Sequence, residues 1–313
     1  MFAYILRRII TAIPVVLMVA IVVFSLLRLT PGDPAAIIAG DEASPAQLAA
    51  IRAQMGLDLP IYEQFFKWMG SLLQGDMGTS LLSGTPVTAL IADRMGPTIA
   101  LAVGTIPVTL IIAIPLGVIA AWRHGAFTDR LVMILAVLGF SIPTFVVGYL
   151  LIYIFSLKLG WFPVQGYRDL SAGLYEFGRR VVLPIAALST VYIALIARIT
   201  RSSIIEIMGE DFIRTARAKG AKETVVFLRH ALRNAAVPII TIVGIGAAAL
   251  IAGVVVTESV FNIPGLGRLV VDAVLARDYP VIQGVILLFS FAYIVINLIV
   301  DILYTVFDPR ITY

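Results

Sequence analysis

Apolar residues run almost unbroken through six stretches of the chain, and polar residues gather between them. An apolar run of about twenty residues is the length an α-helix needs to cross roughly 30 Å of hydrocarbon. A transmembrane β-strand would instead alternate over about ten residues. The pattern therefore predicts an all-α polytopic membrane protein with six transmembrane helices. They run from about Ile9 to Leu29, Thr98 to Trp122, Leu131 to Leu157, Val181 to Ile199, Val237 to Val256 and Val281 to Phe307.

The polar stretches give the organisation. Arg7 and Arg8 precede the first apolar run. A signal peptide would share that positive start, but the run is longer than the roughly 7 to 15 residues of its apolar region, so an uncleaved helix over 1–29 is expected. Pro31, Gly32, Asp33 and Pro34 then end the helix, and residues 30–97 read as a small extracytoplasmic domain. Within it, Ser44-Pro45-Ala46-Gln47 has the form of a helix start. Ile61, Phe65, Trp68, Met69 and Leu72 recur at helical spacing, the mark of a packing face more than of a ligand site. Residues 98–313 form a five-helix core. Pro107 and Pro115 in the second span and Pro143 in the third imply kinks, each either a hinge or a simple bend. Trp161, Phe162, Tyr167 and Tyr175 suit an outer interfacial belt, and Gly244, Gly246 and Gly253 in the fifth span suit close helix packing.

Charge sets the orientation. Arg123 and Arg130 in a short loop, Arg7 and Arg8, and the eight basic residues from Arg198 to Arg233, around the loop 200–236, belong on one side. Thirteen of the 23 Lys and Arg residues lie there once Arg310 is included. By the positive-inside rule this side is cytoplasmic, with both termini inside; Arg179 and Arg180 on the outer side are the weakest point of the assignment. Composition agrees: 60% of residues are hydrophobic and only 13% charged, and mean hydropathy is +1.01. Such a chain has too little polar surface for a soluble globule. The net charge of +4 reads as topology, with lipid and not nucleic acid as the surrounding partner. The absence of cysteine excludes disulfides, thiolate metal sites and thiol nucleophiles.

Catalytic and cofactor motifs are missing. There is no phosphate-cradling G-x-x-x-x-G-K-[ST] and no G-x-S-x-G elbow, and His124 and His230 belong to no metal-ligand spacing. No cofactor, metal or enzymatic activity is expected of this chain. Intramembrane acids reduce to Asp301 and Glu258. A secondary transporter or channel using them as an ion site is the alternative reading, although such a carrier would show more acids or repeated interrupted helices.

The remaining candidate is the polar segment from Asp211 to Pro238. Thr215-Ala216-Arg217-Ala218-Lys219-Gly220, with Leu232 twelve residues after Gly220, resembles the EAA loop of binding-protein-dependent ABC importer permeases. It departs from the general motif: Arg214-Thr215-Ala216 stands where EAA would, His230 where isoleucine would and Arg233 where proline would. D-F-I-R-T-A-R-A-K-G followed by L-R-H-A-L-R-N-A is similar to the dipeptide, oligopeptide and nickel group of those permeases. Met55 to Leu82, Glu258 to Pro280 and Asp308-Pro309-Arg310 resemble the same group, and the long domain after the first span is similar to its B-type subunit. The resemblance implies a type I importer fold and import of di- or oligopeptides. Its implied partners are a homologous second permease, two ATP-binding subunits that hold ATP and Mg, and an extracytoplasmic substrate-binding protein. It also implies that Asp211, Phe212, Arg214, Thr215, Ala216, Arg217, Ala218, Lys219 and Gly220 couple to the ATPase.

The residues themselves fit that role. Phe212 with Ala216, and Thr215 with Lys219, are i, i+4 pairs of a short helix. Gly220 is suited to end it in a left-handed conformation. Lys222 to Asn234 then predicts a second helix, with Val225, Val226, Leu228, Leu232 and Ala236 toward the bundle. A basic loop that fixes topology alone would need the charges, but not the aromatic anchor, the glycine stop or the second helix.

Overall fold

A computed structural model describes residues 2–29, 35–36, 44–54 and 56–307. The expected breakers at residues 31–34 and the Asp308-Pro309-Arg310 tail lie outside the described residues. Every regular element described is helical. In chain order these are α1 (Phe2–Leu29), α2 (Pro45–Gln54), α3 (Ile61–Leu73), α4 (Val87–Trp122), α5 (Phe127–Ser141) and α6 (Thr144–Leu151), which continues as a π-helix over Ile152–Lys158. They continue with α7 (Leu174–Met208), α8 (Asp211–Ala218), three short pieces from 223 to 234, α9 (Ala236–Val260), α10 (Leu266–Leu275) and α11 (Tyr279–Phe307). The described residues divide into two compact units, those of 97–267 with 295–307, and those of 2–96 with 268–294.

The second of these units holds α1 to α3. Ser44 caps α2 as its sequence suggests: the Gln47 amide donates to Ser44 Oγ at 3.3 Å, while Gln47 Oε1 accepts from the Ser44 amide at 2.9 Å. This reciprocal pair satisfies donors that a helix start leaves orphaned. The expected apolar face of α3 packs through Phe65 and Trp68, while Ile61 at its start is exposed. Phe24 of α1 meets Phe65 edge-on at 5.3 Å and Trp68 at 5.5 Å. Buried Gln64 is spent on the preceding turn, its Nε2 donating to Leu57 and Leu59 carbonyls at 3.2 and 2.8 Å.

In the other unit α7 is central and packs against α5, α6 and α9. One core joins Leu101, Leu183, Leu188, Leu250 and Val254; another joins Val118, Ile204, Phe227, Ala235 and Ile239. Gly117 permits the close crossing of α4 and α7, since a Cβ there would lie 2.6 Å from Thr200 Cβ and 2.7 Å from the Ala197 carbonyl oxygen.

Among the described residues, four helices are long and apolar enough to cross a membrane: Val87–Trp122, Leu174–Met208, Ala236–Val260 and Tyr279–Leu303. The expected third span is not one continuous helix. Phe127–Ser141 and Thr144–Lys158 meet at 102°, far more than a kink. Pro143 pushes Ile142 out of the helical region to φ −87°, ψ 123°, and Pro143 itself has ψ 139°, so two successive residues leave the helix and the axis turns. Pro107 and Pro115, by contrast, lie inside unbroken α4. The apolar part of α1 among the described residues is Ile10–Ser25. Helices also outrun their apolar cores: α4 begins at Val87, not Thr98, and α7 covers 174–208, not 181–199.

Candidate functional site

The basic segment after α7 folds as a short helix and a stop. The Gly209-Glu210 link turns the chain, and extended Glu210 caps α8, where Asp211 stands in the first turn and Arg217 in the last, both favourable to the helix dipole. Ile213 is completely buried, worth about 1.5 to 3 kcal/mol of anchoring, and Ala216 beside it on the same face is half-buried. The other side points away from the bundle. Phe212 is 42% exposed, and Asp211, Arg214, Thr215, Arg217, Ala218, Lys219 and Gly220 are exposed with it. Arg214 Nη1 reaches Asp211 Oδ1 at 3.3 Å, and Thr215 Oγ1 donates to the Asp211 carbonyl at 3.0 Å.

Gly220 ends the helix as expected, at φ +80°. Its amide donates to the Arg217 carbonyl at 2.9 Å and the Ala221 amide to the Ala216 carbonyl at 3.2 Å, the paired bonds of a Schellman stop. Arg217 then reaches across the turn to Glu223, Nε at 2.8 Å and Nη2 at 3.2 Å from its two oxygens. This hydrogen-bonded pairing holds the Glu223 carboxyl below its ordinary value and raises Arg217.

The second helix differs from its expected face. It comprises Glu223–Val225, a π-helix over Val226–Ala231, and Leu232–Asn234. Val225 and Leu228 are exposed, while Val226, Phe227, Ala231 and Ala235 are buried. A wider π turn moves the inward position from i+4 to i+5, so Val226 is followed by Ala231 on the buried face. Phe227 stacks on Trp122 at the end of α4, with centroids 5.2 Å apart and planes at 18°. Such a pair adds roughly 0.5 to 1.5 kcal/mol beyond its area.

A second tie escaped sequence reasoning because its partners are 72 residues apart. Arg201, in the last turns of α7, forks onto Asp129 in the first turn of α5, Nε to Oδ1 and Nη2 to Oδ2 at 2.8 Å. The Gly125 amide donates to Oδ2 at 2.9 Å, and His124 Nδ1 lies 3.1 Å from Arg201 Nη2. Asp129 is only 3% exposed. The one signal in sequence was an acid at the start of an apolar span opposite a basic span end.

The two acids considered for an ion site are placed differently. Glu258 is fully buried near the end of α9 and accepts from Thr98 Oγ1 at 2.6 Å; Thr98 in turn accepts from the Leu266 amide at 2.8 Å. Gly265 makes room for that carboxylate, since a Cβ would fall 2.1 Å from Oε1. Asp301 is half-buried in α11. Among the described residues, no three His, Cys, Asp or Glu side chains gather as a metal site.

Residues 113–313 match the family model of binding-protein-dependent transport system inner membrane components, and residues 1–102 match its N-terminal counterpart. A probable peptide ABC transporter permease protein of Sinorhizobium fredii is 49% identical over 313 residues, covering 100% of both chains. A putative peptide transport system permease of Brucella abortus is 46% identical, and a glutathione transport system permease of Salmonella paratyphi A 45%, each again covering 100% of both chains. A chain of the inward-facing MetNI methionine ABC transporter structure shares the fold, with TM-score 0.59 and 18% identity over 71% of this chain and 97% of that one. With a family model spanning α5 to α11 and full-length relatives of this identity, the chain belongs to the binding-protein-dependent inner membrane components and is a multi-pass ABC transporter permease subunit.

Proposed function

We propose that this permease imports short peptides and is driven through α8. The peptidic cargo is inferred from the relatives, whose names specify peptide and glutathione transport. Selectivity would reside largely in an extracytoplasmic binding protein, which presents substrate to a pathway shared with a homologous second permease. In this reading the chain has six spans, with the α5–α6 pair counted as one broken span, and the positive-inside rule assigns both termini inside and residues 30–97 outside. Two partner subunits bind ATP and Mg. Closure of those subunits on ATP draws the docked α8 helices together and opens the pathway outward; release inward follows hydrolysis.

The observation that carries this reading is the two-sidedness of α8. Ile213 fixes the helix to its own subunit while Phe212 and the polar positions around it remain outward. A half-exposed aromatic beside small and basic residues is what a groove on a partner would grip. Glu258, by contrast, is already engaged by Thr98, which favours a structural role over an ion pathway.

The chain has no cysteine, so a single Ala218→Cys on the exposed side of α8, which leaves Phe212 in place, is an unambiguous chemical reporter. In the assembled transporter, a short maleimide-benzophenone attached to that thiol should photo-cross-link it to the ATP-binding subunit, and labelled di- or tripeptide should enter vesicles only with ATP and binding protein. Absence of the cross-link in an active assembly, or uptake driven by an ion gradient without ATP, would refute the proposal.

A further inference from the structure

The fork between Arg201 and Asp129 does something that neither topology nor the docking helix requires. A charge that only sets membrane orientation stays in water, yet the Asp129 carboxylate is buried and both its oxygens are occupied. Its partner lies seven residues, or two turns, before the end of α7, and a two-residue link then leads into α8. Asp129 itself opens α5, the helix that runs to the 102° break and on into α6. The Gly125 amide fixes the carboxylate to its own loop, and His124 borders the guanidinium. Two planar groups joined edge to edge by two hydrogen bonds in this way resist sliding, and parting them leaves a buried charge without its partner. The joint therefore has two discrete states, made and broken, and does not stretch by degrees.

We propose that Asp129 is a positioning residue for transport: its fork with Arg201 makes α5 follow α7 when α8 is displaced, carrying the stroke into the broken third span. The inference rests on α8 being the ATPase handle. Trp122 stacked on Phe227 serves α4 in the same way, so one displacement is divided between neighbouring helices through separate side-chain joints.

The test uses the complete transporter, with both permeases, the ATP-binding subunits and the binding protein, in proteoliposomes. Asp129→Asn keeps the shape and an acceptor for Gly125 but loses the charged fork. It should leave assembly and ATP hydrolysis within about twofold while import per ATP falls on the order of tenfold, a common size for coupling between sites. If that variant does not assemble, Arg201→Lys, which keeps the charge without the planar fork, carries the same measurement. An unchanged import-to-ATP ratio in whichever variant assembles overturns the proposal, as does loss of assembly in both, which would assign the pair to folding alone. Phe212→Ala, assayed alongside, separates the two ideas. A ratio lowered by Phe212→Ala but not by Asp129→Asn sinks the joint and spares the handle; a ratio indifferent to Phe212→Ala sinks the handle as well.

Discussion

Gly220 allows the sharpest test of the proposed docking role of α8, because its environment separates two effects that usually come together. It adopts φ +80°, yet a Cβ built on it meets nothing within 4 Å. Any cost of a side chain there is a cost of backbone conformation and not of collision. Left-handed geometry costs an ordinary L-residue about 1 to 2 kcal/mol, and a β-branched residue sits at the upper end or beyond. Asn visits that region readily. A penalty of 1 to 2 kcal/mol reduces the share of molecules with the Schellman stop closed by a factor of roughly 5 to 30 relative to open forms. With Ala218→Cys as the cross-linking reporter, Gly220→Asn should dock nearly as well as the parent, Gly220→Ala measurably worse and Gly220→Val worst. Import per ATP should follow the same order, with assembly largely intact. Equal behaviour of Val and Gly would refute the role of the stop. Asn as harmful as Val would show that space, not φ, decides the position.

Two further outcomes follow from local geometry. Gly117→Ala places its methyl within 2.6 Å of Thr200 Cβ and against the Ala197 carbonyl, so α4 and α7 must part; a loss of about 1 to 3 kcal/mol is expected, read as a lower melting temperature of the purified permease. An unshifted melting temperature would mean that the two helices separate freely. Glu223 should titrate below its ordinary 4.5, followed by carbon-13 NMR of its carboxyl, because Arg217 holds the charged form. Its depressed value means that the pair's contribution is complete above about 4.5 and is lost as pH falls through the lower folded value; a midpoint at or above 4.5 would remove the pair. Being exposed and screened, the pair should leave the melting temperature unmoved in Glu223→Gln at neutral pH.

Local signals in the sequence carried well where the determinant was local. Ser44 with Gln47, and Gly220 after a short helix, are decided by neighbours within a few residues. Hydrophobic runs located the helices but not their ends, because a helix that leaves the apolar layer keeps its backbone bonds in water. Asp93 and Arg94 thus continue α4, and Arg198 and Arg201 continue α7. In α8 only eight residues carry the periodicity, too few to assign Ile213 inward and Phe212 outward before the helix is seen on its support. The π-helix over Val226–Ala231 overturned the expected face of the next helix, since a helical wheel assumes 3.6 residues per turn throughout. Pro143 announced a bend, but its size came from Ile142 leaving the helix as well. Asp129 and Arg201 meet through tertiary packing that no window of neighbouring residues contains.

From Ile185 to Met208, α7 has neither proline nor glycine, a stretch of 24 residues and about 36 Å with no built-in place to flex. Such a segment behaves as a stiff rod. Its near end feeds α8 through two residues, and its flanks press on α5, α6 and α9. A tilt of about 5° about one end sweeps the other by about 3 Å at this length, more than half a helical turn of rise. If α8 docks as proposed, small rotations imposed at that end are geared up into displacements large enough to reseat side chains at the opposite end, without any helix having to bend or unwind.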